Sequence, residues 1–384
     1  MHFLLKVFWV LARCRICNPE KNYVVVFDRT GSEILEKLIL DNIKHTILPV
    51  RYELFYISPR IIVFFIKNFL QKYLRYYKYR SLYFIYLLSC IEYISPKVVI
   101  TFIDNNSFFY AISEVYEKAI FYAIQNGCRN KYSLAKPLRP GSSYSMPNFI
   151  CFGRYETDLY RQYGRSVNKF HPVGSLIGGY YRSQISENKL KCKFDLCLVS
   201  IWRKHIMIVN PQIDDVEKFY FKNPILILDE YLPKFVEESG LSLCIATCSP
   251  EREEIDYFKR IYGDRAQIIN CDRLNFSTYA AMDNSYIILT TGSTVAYEAF
   301  GWGKKVLFCN FSKDRNYNFE MDGFWSINNC CYDTFKKQLN YLIKVDDQEY
   351  ARLTKEFARY VMNYDFSMPP HNYIRKIITQ HVSS

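Results

Sequence analysis

Two carboxylates, Asp104 and Glu156, and a hydroxyl-rich turn at residues 290–294 are the residues whose types best suit chemistry. Asp104 follows the apolar run Val98 to Ile103. A carboxylate at the end of a buried strand can act as general base toward a hydroxyl, or as a nucleophile. An Asx turn or a helix N-cap uses the same residue type. Glu156 can serve as acid or base, or can simply favour the positive end of the helix it begins. The turn Thr290, Thr291, Gly292 leads into Ser293 and Thr294, then into a helix expected to run to about Phe300, where Gly301 and Gly303 stop it. Unpaired N–H groups and the dipole at such a helix start seat a phosphate. Glu298, one turn in, can then reach ribose hydroxyls of the same ligand. A well-capped strand–helix crossover with no ligand is the plainer alternative.

Other polar residues gather just after predicted strands. Asn105, Gln125, Asn126 and Gly127 can meet sugar hydroxyls, and Arg129 and Arg154 can meet a carboxylate or phosphate. Asn126-Gly127 is equally a plain turn. Ser200 and Arg203 end the apolar run Phe194 to Val199 and can clamp a phosphate. Ser249 follows the run from Leu241 and suits either phosphate binding or an N-cap before Pro250. Asp272, Arg273 and Asn275 precede a short helix, where a nucleotide base can be read. No His or Cys pair has metal-ligand spacing, since Cys14 and Cys17 lack a second pair. Asp346-Asp347 sits beside a helix, far from the strand ends. No metal site and no cofactor are expected.

These residues need elements to hold them. Strands are expected at 23–28, 97–103, 118–124, 149–152, 194–200, 241–246, 266–269 and 286–289, each followed by a polar turn and helical periodicity. Pro233 interrupts an otherwise helical stretch at 225–238 and is expected to kink or divide it. The repetition describes an α/β fold with parallel sheets flanked by helices, in which ligands lie at strand carboxyl ends. Glycines and polar residues between about 172 and 193 break the pattern. The expected organisation is an acceptor-side Rossmann-like domain at 1–175, a linker at 176–193, a nucleotide-sugar-binding Rossmann-like domain at 194–360, and a tail at 361–384 that can pack back on the first domain. Two doubly wound domains facing a cleft is the GT-B layout.

A chain of 384 residues accommodates two such domains, and its 49% hydrophobic and 23% charged content excludes a disordered chain. The net charge of +12 favours anionic partners, a nucleotide or an acidic membrane surface among them. Dispersed basic residues and the lack of a recognition motif argue against nucleic acid. Thirteen scattered cysteines fit reduced thiols in the cytoplasm. The apolar start, residues 1–12, is too short to span a bilayer and lacks a convincing cleavage site. A stretch from Pro59 to about Arg80 mixes an apolar helical face with basic and aromatic residues, and suits either a membrane surface or the core.

Blocks at 98–106, 124–127, 152–156, 194–203, 275–279 and 292–301 resemble the bacterial surface-carbohydrate biosynthesis transferases of O-antigen and capsule assembly, and the likeness spans roughly 20–365. More distantly, the Gln125–Gly127 and Gly292–Glu298 blocks are similar to capsule transferases using CMP-activated ulosonic acids and to CDP-glycerol polymerases. The resemblance implies a GT-B glycosyltransferase working without metal, peripheral at the inner face of the cell membrane. Its substrates would be a nucleotide-sugar donor, with a CMP-linked ulosonic acid such as Kdo or a sialic-acid-like sugar as first guess, and a glycan or lipid-linked acceptor. It also implies a retaining reaction through Asp104. Those relatives often carry His where this chain has Asn126, and an amide cannot exchange a proton usefully. A GT-B-like sugar-nucleotide epimerase and a non-catalytic partner in an assembly complex are the alternatives.

Overall fold

The computed structural model describes residues 12–74, 81–129, 131, 134, 145–185, 192–204, 225–312, 315, 318–319 and 321–383. Residues 1–11, the end of the basic stretch at 75–80 and part of the expected linker at 186–191 lie outside them. In chain order the first half contains β1 (Cys14–Arg15), β2 (Val24–Phe27), α1 (Ser32–Leu38), β3 (His45–Leu48), β4 (Phe55–Tyr56), α2 (Pro59–Asn68), α3 (Leu82–Ile94), β5 (Val98–Thr101), α4 (Ser107–Ser113), β6 (Ile120–Ile124), β7 (Met146–Cys151), α5 (Arg154–Gln162), β8 (Val167–Pro172) and α6 (Leu176–Gln184). The second half runs β9 (Phe194–Val199), α7 (Ile225–Ser239), β10 (Leu243–Ala246), α8 (Arg252–Tyr262), β11 (Gln267–Ile269), α9 (Ser277–Asp283), β12 (Ser285–Thr290), α10 (Thr294–Gly301), β13 (Lys305–Asn310), β14 (Ser326–Asn328), α11 (Tyr332–Lys344), α12 (Asp347–Val361) and α13 (Pro370–Ser383).

Two six-stranded sheets result, ordered β3-β2-β5-β6-β7-β8 and β11-β10-β9-β12-β13-β14, with every neighbouring pair parallel. Parallel strands must be covered on both faces, and the strand sequences show it. Val25 and Phe27 face a core shared with α3 and α4, whereas Val24 and Val26 face the opposite core with α1 and α13. The second sheet has the strand order of a dinucleotide-binding fold, reversing between β9 and β12. In the first sheet the reversal lies between β2 and β5.

Several elements depart from the sequence expectation. The region expected as a linker holds α6, whose Ser175 cap accepts from the Gly178 N–H. Pro233 does not divide α7, which runs unbroken from Ile225 to Ser239. Edge strands β3, β8 and β14 and helices α11 and α13 were not anticipated. β8 (Val167–Pro172) is an edge strand with Lys169 exposed, so it lacks the apolar run of a central strand. Beyond Val361, Asn363 donates from its backbone N–H to Phe152 O at 2.8 Å and from its side chain to Pro172 O at 2.7 Å. Helix α13 then lies on the first sheet, where Ile374 and Ile378 are fully buried among Val98 and Ile100.

Candidate functional site

A cavity of about 540 Å³ lies between the two sheets. From the second domain it is lined by Ser200 and Arg203 after β9, Cys248 after β10, Arg273 and Tyr279 around α9, and Gly292, Ser293, Thr294 and Glu298 after β12. The first domain contributes Thr30, Gly31 and Lys37 from the β2–α1 turn and helix, with Phe102, Ile103 and Asn126 after β5 and β6. Carboxyl ends of strands at both reversals therefore face one another across the space.

The turn after β12 is built by Thr290. Its buried hydroxyl accepts from Gly292 N–H at 3.3 Å and Ser293 N–H at 3.0 Å, and donates to Val199 O at 3.2 Å. Gly292 has φ 127°, a conformation that favours glycine. The turn thus uses its own first two N–H groups internally. Those of Thr294 and Val295, at the start of α10, are the ones left to meet a ligand. The Thr294 hydroxyl lines the cavity with its proton still available, and its lone pair has a second task. It accepts from Cys128 N–H at 3.0 Å and so ties the second domain to the loop after β6.

Glu298 is buried yet lines the cavity. Its Oε1 accepts from the Ser175 hydroxyl at 2.8 Å, while Oε2 has no hydrogen-bond partner. Burial pushes this carboxyl up to about 7, against the Tyr279 and Ser175 hydroxyls, which favour the charged form. Oε2 lies toward Gly178 and the Tyr364 hydroxyl, which is also without a hydrogen-bond partner, so this corner holds an unsatisfied buried acceptor and an unsatisfied hydroxyl side by side. Arg203 donates to Trp202 O at 3.0 Å and leans on Cys248 Sγ at 2.6 Å, keeping its guanidinium at the cavity wall. Ser200 lines the same wall, but its hydroxyl accepts from Trp202 N–H at 3.0 Å.

Other residues chosen from the sequence have structural employment away from the cavity. The Asp104 side chain is fully buried and pairs with Arg129 through Oδ1, while Oδ2, like Oε2 of Glu298, has no hydrogen-bond partner; the cavity lining does not include it. Burial raises its pKa, opposed by the Arg129 guanidinium. Off the cavity lining, the Asp104 carboxyl does not face the space in which a donor or acceptor would sit. Arg129 in turn donates to Gly127 O at 2.9 Å and Asn126 Oδ1 at 3.3 Å, bracing the loop that meets Thr294. Glu156 closes the start of α5, accepting from Gly153 N–H at 3.0 Å and from Gln125 Nε2 at 2.9 Å, and burial lifts it to about 7. Gln125 is buried between Glu156 and the Phe152 N–H, which leaves no edge for a sugar. Ser249 is turned toward Glu254, to which both its N–H and its hydroxyl donate, at 3.0 and 2.9 Å. Asn105 is exposed but lies off the cavity lining, as does Arg154, which is ion-paired with Asp158.

Thr30, Gly31, Lys37 and Phe102 were missed. The strand-end rule that found Thr290 applies equally to Thr30 and Gly31 after β2, where Gly31 has φ 78°. Lys37 was beyond that rule. It sits within α1 and reaches across to Leu274 O and the Phe276 ring of the other domain, a contact made only by folding. Among the described residues no cluster of His, Cys, Asp and Glu could hold a metal ion.

The likeness to solved structures supports this architecture. The wall teichoic acid polymerase TagF superposes with a TM-score of 0.55 at 13% identity, over 95% of this chain and 90% of that one. The Staphylococcus aureus MnaA–UDP co-structure gives 0.52 at 15% identity, over 95% and 96%. A structure described as a "putative UDP-N-acetylglucosamine 2-epimerase from Listeria monocytogenes" gives 0.53 at 14% identity, over 94% and 97%. At these identities the likeness fixes the fold, which is GT-B-like. No curated protein matches the sequence. A family model described as "putative O-antigen biosynthesis protein" matches residues 122–375, more than half of the 384 residues, and the chain belongs to that family.

Proposed function

We propose that this protein is a glycosyltransferase of surface-polysaccharide assembly that binds a nucleotide-sugar donor in the interdomain cavity. The observation that carries the reading is Glu298, a buried carboxylate with one empty acceptor oxygen, set one turn into a helix that begins at the strand-order reversal. In this reading the Thr294 and Val295 N–H groups, the Ser293 hydroxyl and the Arg203 and Arg273 cations hold phosphate. Glu298 Oε2 receives a ribose hydroxyl. The acceptor, a glycan or lipid-linked glycan, approaches from Thr30, Gly31 and Asn126. In this reading the cations and the helix dipole meet the leaving phosphate without a metal ion, and transfer takes place at the cytoplasmic side of the membrane.

A CMP-linked ulosonic acid remains the first donor to try. Asp104 is assigned a positioning role through Arg129 in place of the nucleophile's role. Thermal-shift measurements with CMP-, CDP-, UDP- and GDP-sugars test the reading, because a bound donor raises apparent stability by mass action. One nucleotide class should stabilise the wild type and do so far less for Glu298→Gln. No shift with any nucleotide would leave the chain a non-catalytic assembly partner. Donor conversion without acceptor would make it an epimerase.

A further inference from the structure

Helix α2 is apolar on two sides. Its inner side packs on α3 through Ile61, Phe64 and Phe65, and Asn68 is buried there, donating to Ser89 Oγ at 3.3 Å and Glu92 Oε2 at 3.2 Å. The outer side carries Ile62, Val63 and Ile66, and the following turn carries Leu70 and Leu74. These five are between 47% and 66% exposed. At 100° per residue they fall in one strip opposite Ile61 and Asn68, and Arg60 and Lys67 border it. Scattered exposed aliphatics are ordinary, but an uninterrupted row over several turns is not.

Charge says what covers it. Between Glu53 and Glu92 the sequence carries six Lys or Arg and no Asp or Glu; Arg60, Lys67 and Lys72 lie on described residues, and Lys67 meets Glu92 at 3.5 Å while staying half-exposed. A partner protein of mixed surface charge would not call for so one-sided a flank, whereas an acidic lipid headgroup layer does. Among the described residues no helix is long and apolar enough to cross a membrane, so any contact of α2 is with the surface. We infer that the outer face of α2 is a docking surface for an anionic lipid bilayer, with the aliphatic row entering the headgroup–acyl boundary and the cations meeting phosphate. This deepens the proposed function by saying where a lipid-linked acceptor would be met. Its test involves no turnover or donor, so the two can fail separately.

The experiment is co-sedimentation of the full chain with vesicles of phosphatidylcholine alone and with phosphatidylglycerol added. Wild type should bind the acidic vesicles and barely the neutral ones. A triple variant, Ile62→Ser with Ile66→Ser and Leu70→Ser, should lose at least about tenfold in partitioning, since the apolar term is removed. Replacing Arg60 and Lys67 by Gln should reduce the preference for acidic vesicles and its salt sensitivity. Circular dichroism and thermal unfolding of both variants should stay close to wild type, because the substituted aliphatics lie outside the core and the half-exposed Lys67–Glu92 pair contributes little. Equal binding by the triple variant overturns the inference, as does failure of wild type to bind either vesicle. So does a wild-type dimer that the triple variant dissolves, which would make the row a self-association face.

Discussion

Burial lifts three carboxyls, Glu156, Asp229 and Glu298, to about 7, from ordinary values of 4.5 for Glu and 3.8 for Asp. The folded chain therefore holds protons that the unfolded chain has already released, and stability falls as pH rises from about 4 to about 7. Each group's burial cost is absent below its unfolded value and complete above 7. Glu298→Gln removes one share, roughly 3 kcal/mol at most by the size of its shift. Unfolding midpoints of this variant and wild type should thus converge at low pH, with the variant the more stable at high pH. Parallel curves would show that Glu298 is not the titrating group. Asp104 offers a second test. Asp104→Ala leaves Arg129 without its buried partner and should cost about 3 kcal/mol of stability. Donor-induced stabilisation should persist in Asp104→Asn. Retained turnover in Asp104→Asn fits the positioning role, whereas abolished turnover with donor-induced stabilisation intact would make Asp104 the nucleophile.

At the scale of elements, the two domains are held by close backbone approaches that only glycine permits. A Cβ on Gly153 would collide with the backbone of Tyr360 and Val361, where α5 meets the end of α12. Gly153→Ala should therefore destabilise the protein by about 2 kcal/mol or more, since neither backbone can give way. Gly178 differs in kind. Its Cβ would sit 2.5 Å from Glu298 Oε2 and from the Tyr364 hydroxyl, both side-chain ends that can move. Gly178→Ala should cost less stability and should displace Glu298, so weaker donor binding is the expected readout in calorimetry. Strands β9, β10 and β12 were legible because each is a buried apolar run followed by turn chemistry. Strand β8 and helix α13 were not, because an edge strand with exposed charge and a half-amphipathic terminal helix carry weak periodic signals.

For the whole molecule, the chain crosses between domains twice, once through α6 and once through α12 and α13. The second crossing completes the first domain's core. Ile374 and Ile378 are fully buried, Lys97 Nζ donates to Val382 O at 3.2 Å, and Arg375 pairs with Asp41 at 3.0 Å. Deleting residues 362–384 should expose that sheet face and yield aggregated protein, while Arg375→Ala alone should be tolerated because its ion pair is half-exposed. Limited proteolysis with gel filtration checks both.

Local residue order was enough to announce two parallel-sheet halves, the turn at Thr290 to Thr294 and the presence of Glu298, since strand hydrophobicity and helix capping are written within a few neighbouring residues. Which of the polar strand-end residues would share a space was decided only by packing across long sequence separations. Asp104, Gln125, Glu156 and Ser249 look like ligands in one dimension. In three they are engaged by Arg129, Phe152, Gly153 and Glu254, Asp104 alone of the four keeping an unpaired oxygen, because buried polar groups mostly find partners within the fold.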